Sequence, residues 1–148
     1  MSQPIFSYRD LEVWKLSMDL VDMVFASTKT MPRTEFDLRR QICRAAVSIP
    51  ANVAEGYRRK NRRGAYQNHI SIAMGSQGEL ETELEIAARN EFLTKPHVQT
   101  ILELNDRVGA MLYRLHESLG RVRSRADHNG KTAESRKATV GSRLPGPG

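Results

Sequence analysis

Residues 101–119 read ILELNDRVGAMLYRLHESL. Ile101, Leu104, Val108, Met111, Leu115 and Leu119 recur at steps of three or four, a near-heptad seam. On a helix this spacing stacks apolar side chains along one narrow stripe, the geometry by which helices pack side by side. Thr94 and Pro96 stand where such a helix begins, since a proline in the first turn gives up an amide that has no intrahelical partner. The stretch predicts a fourth helix ending near Leu119, and a seam this regular must be met by other helices.

Three more segments upstream supply them. Tyr66, Ile70, Ala73, Gln77, Leu80, Leu84 and Ala87 keep helical spacing in a region without proline, predicting helix 3 from about residue 64 to 90. Leu38, Ile42, Ala45, Ile49 and Val53 form the stripe of helix 2, with Thr34 as its cap, Asp37 three residues on, and Gly56 as a left-handed C-terminal residue. Pro50 lies inside this helix, removes one donor and crowds the Ala46 carbonyl, so a local kink or loosened turn is expected. Leu11, Trp14, Met18, Val21 and Phe25 give helix 1, from about residue 10 to 29, with Ser7 and Asp10 in a capping arrangement. Strand-like alternation of useful length is absent, and the short connections favour antiparallel neighbours. The expected fold is all-α: an antiparallel up-and-down four-helix bundle over residues 1–119, followed by a disordered basic C-terminal tail over 120–148.

Charge separates the same two parts. The 148-residue chain carries a net charge of +6. From Gly120 onward seven basic residues face two acidic ones, leaving sixteen against fifteen for the bundle. The tail is rich in Arg, Ser, Gly and Pro and poor in large apolar residues, so burial cannot offset the entropy of ordering it. Any electrostatic footprint on the nearly neutral bundle must come from local clustering. Cys43 is the single cysteine, with no disulfide partner and no zinc-ligand spacing, which fits a reducing cytoplasm. The N-terminus lacks the basic and apolar regions of a secretion signal, and no stretch approaches the length of a membrane helix.

Few residues invite a chemical reading. Glu79, Glu81, Glu83 and Glu85 suggest a metal or acid–base site, but a di-iron bundle needs paired Glu-x-x-His motifs. Three residues before His69, His97, His116 and His128 stand Tyr66, Thr94, Tyr113 and Arg125, so the run is expected to be a solvated or interface acidic face. Cys43 is expected in the core, and His69 hydrogen-bonded or at the surface. No phosphate-cradling glycine loop, zincin motif or nucleophile elbow occurs. The expectation is a protein without catalytic residues, metal or cofactor.

The densest charge feature of the bundle is Arg58, Arg59, Lys60, Arg62 and Arg63, five cations in six positions, flanked by Tyr57 and Tyr66. Such a cluster between two helices suits phosphate contacts and counterion release. The alternative is a solvated turn whose cations offset the carbonyl end of helix 2. Five cations exceed what one helix end requires, so nucleic-acid binding is the preferred expectation. Arg39, Arg40 and Arg44 add a basic side to helix 2 that could extend the same surface or pair with the acidic run on helix 3, and pairing is the more economical expectation. Gly75, Ser76 and Gly78 cost helix propensity, roughly 1 kcal/mol for each glycine relative to alanine, which fits a close subunit contact or an accommodation within the chain.

Three blocks carry a family likeness: Tyr8-Arg-Asp-Leu-Glu-Val-Trp14, then Gln41-Ile-Cys-Arg-Ala-Ala-Val-Ser-Ile-Pro-Ala-Asn-Val-Ala-Glu-Gly56, then Ser71-Ile-Ala-Met-Gly-Ser-Gln-Gly-Glu-Leu-Glu-Thr-Glu-Leu84. In this order, over about residues 6–119, the chain resembles the bacterial four-helix-bundle proteins encoded in intervening sequences of large-subunit ribosomal RNA genes. That family is similar in fold to the accessory variability determinant of diversity-generating retroelements, a basic pentamer that binds nucleic acid and a reverse transcriptase. The resemblance implies a homopentamer, a nucleic-acid role and, by remote analogy, a reverse-transcriptase partner. Ser48 to Gly56 matches the family's most recognisable motif, in which Asn52 and Glu55 are expected to satisfy backbone or Arg groups. Two functions follow as expectations: an oligomeric accessory protein that binds nucleic acid, or a structural or adaptor oligomer that does not.

Overall fold

The computed structural model describes residues 3–140, and their side chains as far as residue 121. A 3-10 turn at Tyr8–Asp10 leads into α1 (Glu12–Thr28); a second turn at Arg33–Glu35 leads into α2 (Phe36–Arg58), α3 (Arg63–Arg89) and α4 (Lys95–Val140). No strand occurs among the described residues. α1 packs on α2 and α4, and α3 packs on the same two, with no diagonal contact among the described residues. Short links between successive helices make neighbours antiparallel, and the result is the expected up-and-down bundle. No described helix is long and apolar enough to cross a membrane.

All four helices feed one core. Leu20 and Val24 from α1, Ile42, Ile49 and Val53 from α2, Ile70, Leu80 and Leu84 from α3, and Ile101, Val108 and Leu112 from α4 are fully buried. Each such side chain contributes roughly 1.5–3 kcal/mol relative to exposure. The stripes of α2 and α3 lie where their spacing placed them. On α4 Leu112 is fully buried while its neighbour Met111, the seam residue, is only half-buried, because a straight helix drifts away from a strict seven-residue repeat.

α1 departs from expectation. Its buried face is Val13, Ser17, Leu20, Val24 and Thr28, and the face of Leu11, Trp14, Met18, Val21 and Phe25 is half-buried or exposed. Both sets have helical spacing, and the buried one contains hydroxyls that satisfy themselves: Ser17 Oγ donates to the Val13 carbonyl and Thr28 Oγ1 to that of Val24 at 2.8 Å. A serine and a threonine bonded back to their own helix enter a core cheaply.

Other local expectations are corrected at helix ends. Ser7 and Asp10 do form a capping box, but on the Tyr8–Asp10 turn rather than on α1. Thr34 does not cap α2; a 3-10 turn intervenes and its hydroxyl donates to Glu35. Thr94 does receive the His97 amide at the start of α4. α2 runs through Pro50 without interruption. Gly56 is not a left-handed terminus: no glycine among the described residues has positive φ, and α2 continues to Arg58. The left-handed residue is Glu91 at φ 59°, where the amides of Glu91 and Phe92 close onto the carbonyls of Ala88 and Ala87 to end α3. α4 extends to Val140, beyond the end near Leu119 that its seam predicts; no proline interrupts the helix-forming Arg, Ala, Lys and Glu residues there. The expected disorder of the tail falls on residues whose side chains, from 122, and backbone, from 141, lie outside the described residues.

Candidate functional site

Close packing of α2 on α3 builds the site. A Cβ added at Gly56 would stand 2.9 Å from both the Cβ of His69 and a ring carbon of Tyr66. Glycine at this position is therefore what lets the two helices approach before the Arg59–Arg62 turn joins them. Tyr66 is buried beneath it, its ring edge-on to Tyr57 with centroids 6.4 Å apart. Burial, with Tyr57 beside it, pushes the Tyr66 hydroxyl up to about 12.

A polar ladder runs down the same interface. Ser48 and Ser76 share a hydrogen bond of 2.7 Å across the helices. The Asn52 amide donates to the Ser48 carbonyl at 2.8 Å and to its hydroxyl at 3.0 Å, and Asn52 Oδ1 faces His69 Nδ1 at 3.1 Å. With Asn52 accepting, His69 Nδ1 donates. The ring's other nitrogen lies 3.8 Å from Glu55, which itself pairs with Arg59 at 3.0 Å within α2. Asn52 and His69, both half-buried, thus hold helix to helix.

Arg58, Arg59, Lys60, Arg62 and Arg63 cap this assembly, all exposed. Only Arg59 has a carboxylate within 4 Å among the described residues. Arg62 and Arg63 open α3, whose first turn has no acidic residue and whose N-cap makes no side-chain bond. Lys60 is placed by Tyr57: its ammonium donates to the phenol oxygen at 3.0 Å and lies 4.2 Å from the ring centroid.

The N-terminal segment joins the cluster, which the sequence did not disclose. The Arg58 and Arg9 guanidiniums lie 5.7 and 4.7 Å from the Tyr8 ring centroid, and Tyr8 packs edge-on to Trp14 at 5.4 Å. Some fifty residues separate Tyr8 from Arg58, and the available signal was topological: antiparallel α1 and α2 put the start of one beside the end of the other. α4 passes this end too, since Gln67, one turn into α3, donates to the His116 carbonyl at 3.3 Å.

Other readings of single residues need correction. Glu83 is not part of a solvated face; it is buried, with Oε2 unpartnered. Desolvation, then repulsion and hydrogen bonding from Glu79 one turn away, raise its carboxyl to about 7. Glu79 and Glu85 are exposed and Glu81 half-buried. Arg39, Arg40 and Arg44 make no ion pair with these acids among the described residues; Arg44 and Glu79 share a cleft between α2 and α3 without meeting. Cys43 is half-buried, its sulfur 3.6 Å from Thr28 Oγ1. No cluster of three or more His, Cys, Asp or Glu able to hold a metal occurs among the described residues.

Comparison with known proteins fits this architecture. One solved structure, a protein of unknown function from the S23 ribosomal protein family of Bacteroides thetaiotaomicron, superposes with a TM-score of 0.66 at 24% identity, covering 70% of this chain and 97% of its own. That likeness is one of fold. No curated protein matches the sequence. The family model for the 23S rRNA-intervening sequence protein matches residues 9–114, a span that includes all of α1, α2 and α3 and most of the bundle portion of α4. The chain belongs to the 23S rRNA-intervening sequence protein family.

Proposed function

We propose that this chain is a non-catalytic, homo-oligomeric accessory protein of the cytoplasm that binds the phosphate backbone of RNA or DNA through Arg58, Arg59, Lys60, Arg62 and Arg63. One observation supports this above the others: five exposed cations share one turn, four of them without a carboxylate within 4 Å among the described residues. Cations at the end of α2 suit its carbonyls, but Arg62 and Arg63 sit at the start of α3, where the amides already carry partial positive charge. Helix stability favours acids there, so the placement serves something other than the helix. A polyanion relieves the repulsion and releases its own counterions. The sequence of α4 beyond this end, with Arg121, Arg123 and Arg125, adds charge of the same sign.

Self-association has separate support on the outer side of α3. Ile72 and Ile86 are exposed there, and Cβ atoms added at Gly75 and Gly78 would meet nothing within 4 Å. The glycines have no Cβ-distance packing partner among the described residues, and a second copy supplies one. Five copies, like a reverse-transcriptase partner, follow from the family resemblance only. This face also favours the second reading, an adaptor oligomer with no nucleic-acid role.

Filter retention of a structured RNA and a duplex DNA by the full chain separates the two. Changing the five cations to Ser weakens retention and leaves the sedimenting mass unchanged if they contact phosphate. Unchanged retention with altered assembly selects the adaptor.

A further inference from the structure

The N-terminal segment and the α2–α3 turn enclose a cleft of 260 Å³, with Phe6, Tyr8 and Arg9 on one side and Arg58, Lys60 and Asn61 on the other. Phe6 is 83% exposed, the largest value among the exposed apolar side chains of the described residues. Its backbone is held: its amide donates to Asp10 Oδ2 at 2.9 Å, and that of Ser7 to the same oxygen at 3.0 Å. The ring thus stands in water at the mouth of a cleft, where covering it would be favourable.

The cleft is positive. Arg9 and Arg58 lie over Tyr8, and Lys60 lies over Tyr57. Asp10 is engaged by the two backbone amides, which hold its carboxyl below the usual range, and Glu55 is engaged by Arg59. Aromatic surface rimmed by cations, with an amide side chain beside it, matches a nucleotide: a ring to stack, phosphates on either side, and polar edges.

We propose that this cleft takes one unpaired base of a single-stranded nucleic acid, stacked on Phe6, with its flanking phosphates on Arg9, Arg58 and Lys60 and its edge toward Asn61. The proposal rests on the nucleic-acid reading above and narrows it to strands whose bases are free. Bases within a duplex have both faces covered, and only an unpaired base offers a face to an aromatic ring. The cleft is smaller than the roughly 300 Å³ at which drug-sized sites begin, the scale of one base rather than a pair. A symmetric contact with a second copy would bring like-charged ends together, which disfavours that occupant.

The test uses the full chain and its Phe6→Ala variant, whose change lies outside the core. Equilibrium binding is measured for oligouridylate, oligothymidylate, a blunt duplex, and a single strand carrying 2-aminopurine. The expected result is roughly tenfold weaker single-strand binding in the variant, unchanged duplex binding, and an unchanged salt slope because no charge is removed. Fluorescence quenching of 2-aminopurine by the parent is lost in the variant and kept in Phe6→Tyr. The two single strands show whether the sugar matters. Equal single-strand affinity of parent and variant, a parallel loss on duplex, or a changed sedimenting mass without a change in affinity would each overturn the proposal. Duplex binding with steep salt dependence alongside an inert Phe6→Ala would remove only this site; no binding to any strand would remove the nucleic-acid reading with it.

Discussion

The two sides of α3 answer the same question differently. On the side facing α2, two costly positions have a reason inside the chain, since Gly56 of α2 admits Tyr66 and His69 at contact distance and Ser76 bonds Ser48, while the buried Glu83 is left with an unpartnered oxygen. On the outer side Gly75 and Gly78 weaken the helix and Ile72 and Ile86 are exposed, with nothing among the described residues packed where the glycines' Cβ atoms would stand. A residue type thus has no fixed meaning. Gly56 is a packing device, and the outer glycines lie on the surface proposed above for self-association.

The largest pH effect expected on the inner side belongs to Glu83. Its folded pKa, about 7, lies above the 4.5 of a free glutamate, so between these values the folded state holds a proton that the unfolded chain has lost. Stability therefore falls as pH rises from about 4.5 to 7 and levels off above, by about 1–2 kcal/mol once solvent screening is allowed for. Glu83→Gln flattens that slope, and at pH 8 it melts at a higher temperature than the parent. A parent profile that is already flat would return Glu83 to the solvated face.

Next comes Gly56→Ala. The added methyl meets the Cβ of His69 and the Tyr66 ring at 2.9 Å, an overpacking that costs about 1–3 kcal/mol. Urea denaturation reads it directly, and unchanged stability would show that α2 and α3 can part without loss. Smaller, and opposite in sign, are Gly75→Ala and Gly78→Ala. Each stabilises the dissociated chain by about 1 kcal/mol through helix propensity and, if copies meet on this face, weakens their assembly in sedimentation. Gain of stability with assembly intact would make the outer side plain surface and erase the contrast.

Much of this was readable from the sequence. The stripes of α2 and α3, the seam of α4 and the cluster from Arg58 to Arg63 rest on local spacing, which survives folding. What was illegible depends on which of two local possibilities the tertiary structure chooses. α1 carries two apolar stripes, and the one with Ser17 and Thr28 went inward because their hydroxyls bond to their own helix. Glu83 looks like its neighbours at positions 79, 81 and 85, and only the rotation of α3 against α2 buries it. Phe6, Tyr8 and Arg9 meet the basic turn through chain topology, which no window of sequence contains.

The most direct test of the basic end is the salt dependence of RNA affinity for the full chain and for the variant with Arg58, Arg59, Lys60, Arg62 and Arg63 changed to Ser, the tail being common to both. Each phosphate contact contributes roughly 0.7–0.9 to the slope of log K against log salt. Five contacts therefore predict a slope lower by about 4 in the variant, with weaker binding at every salt concentration. Superimposable lines would contradict the account and assign the binding, if any, to another part of the chain.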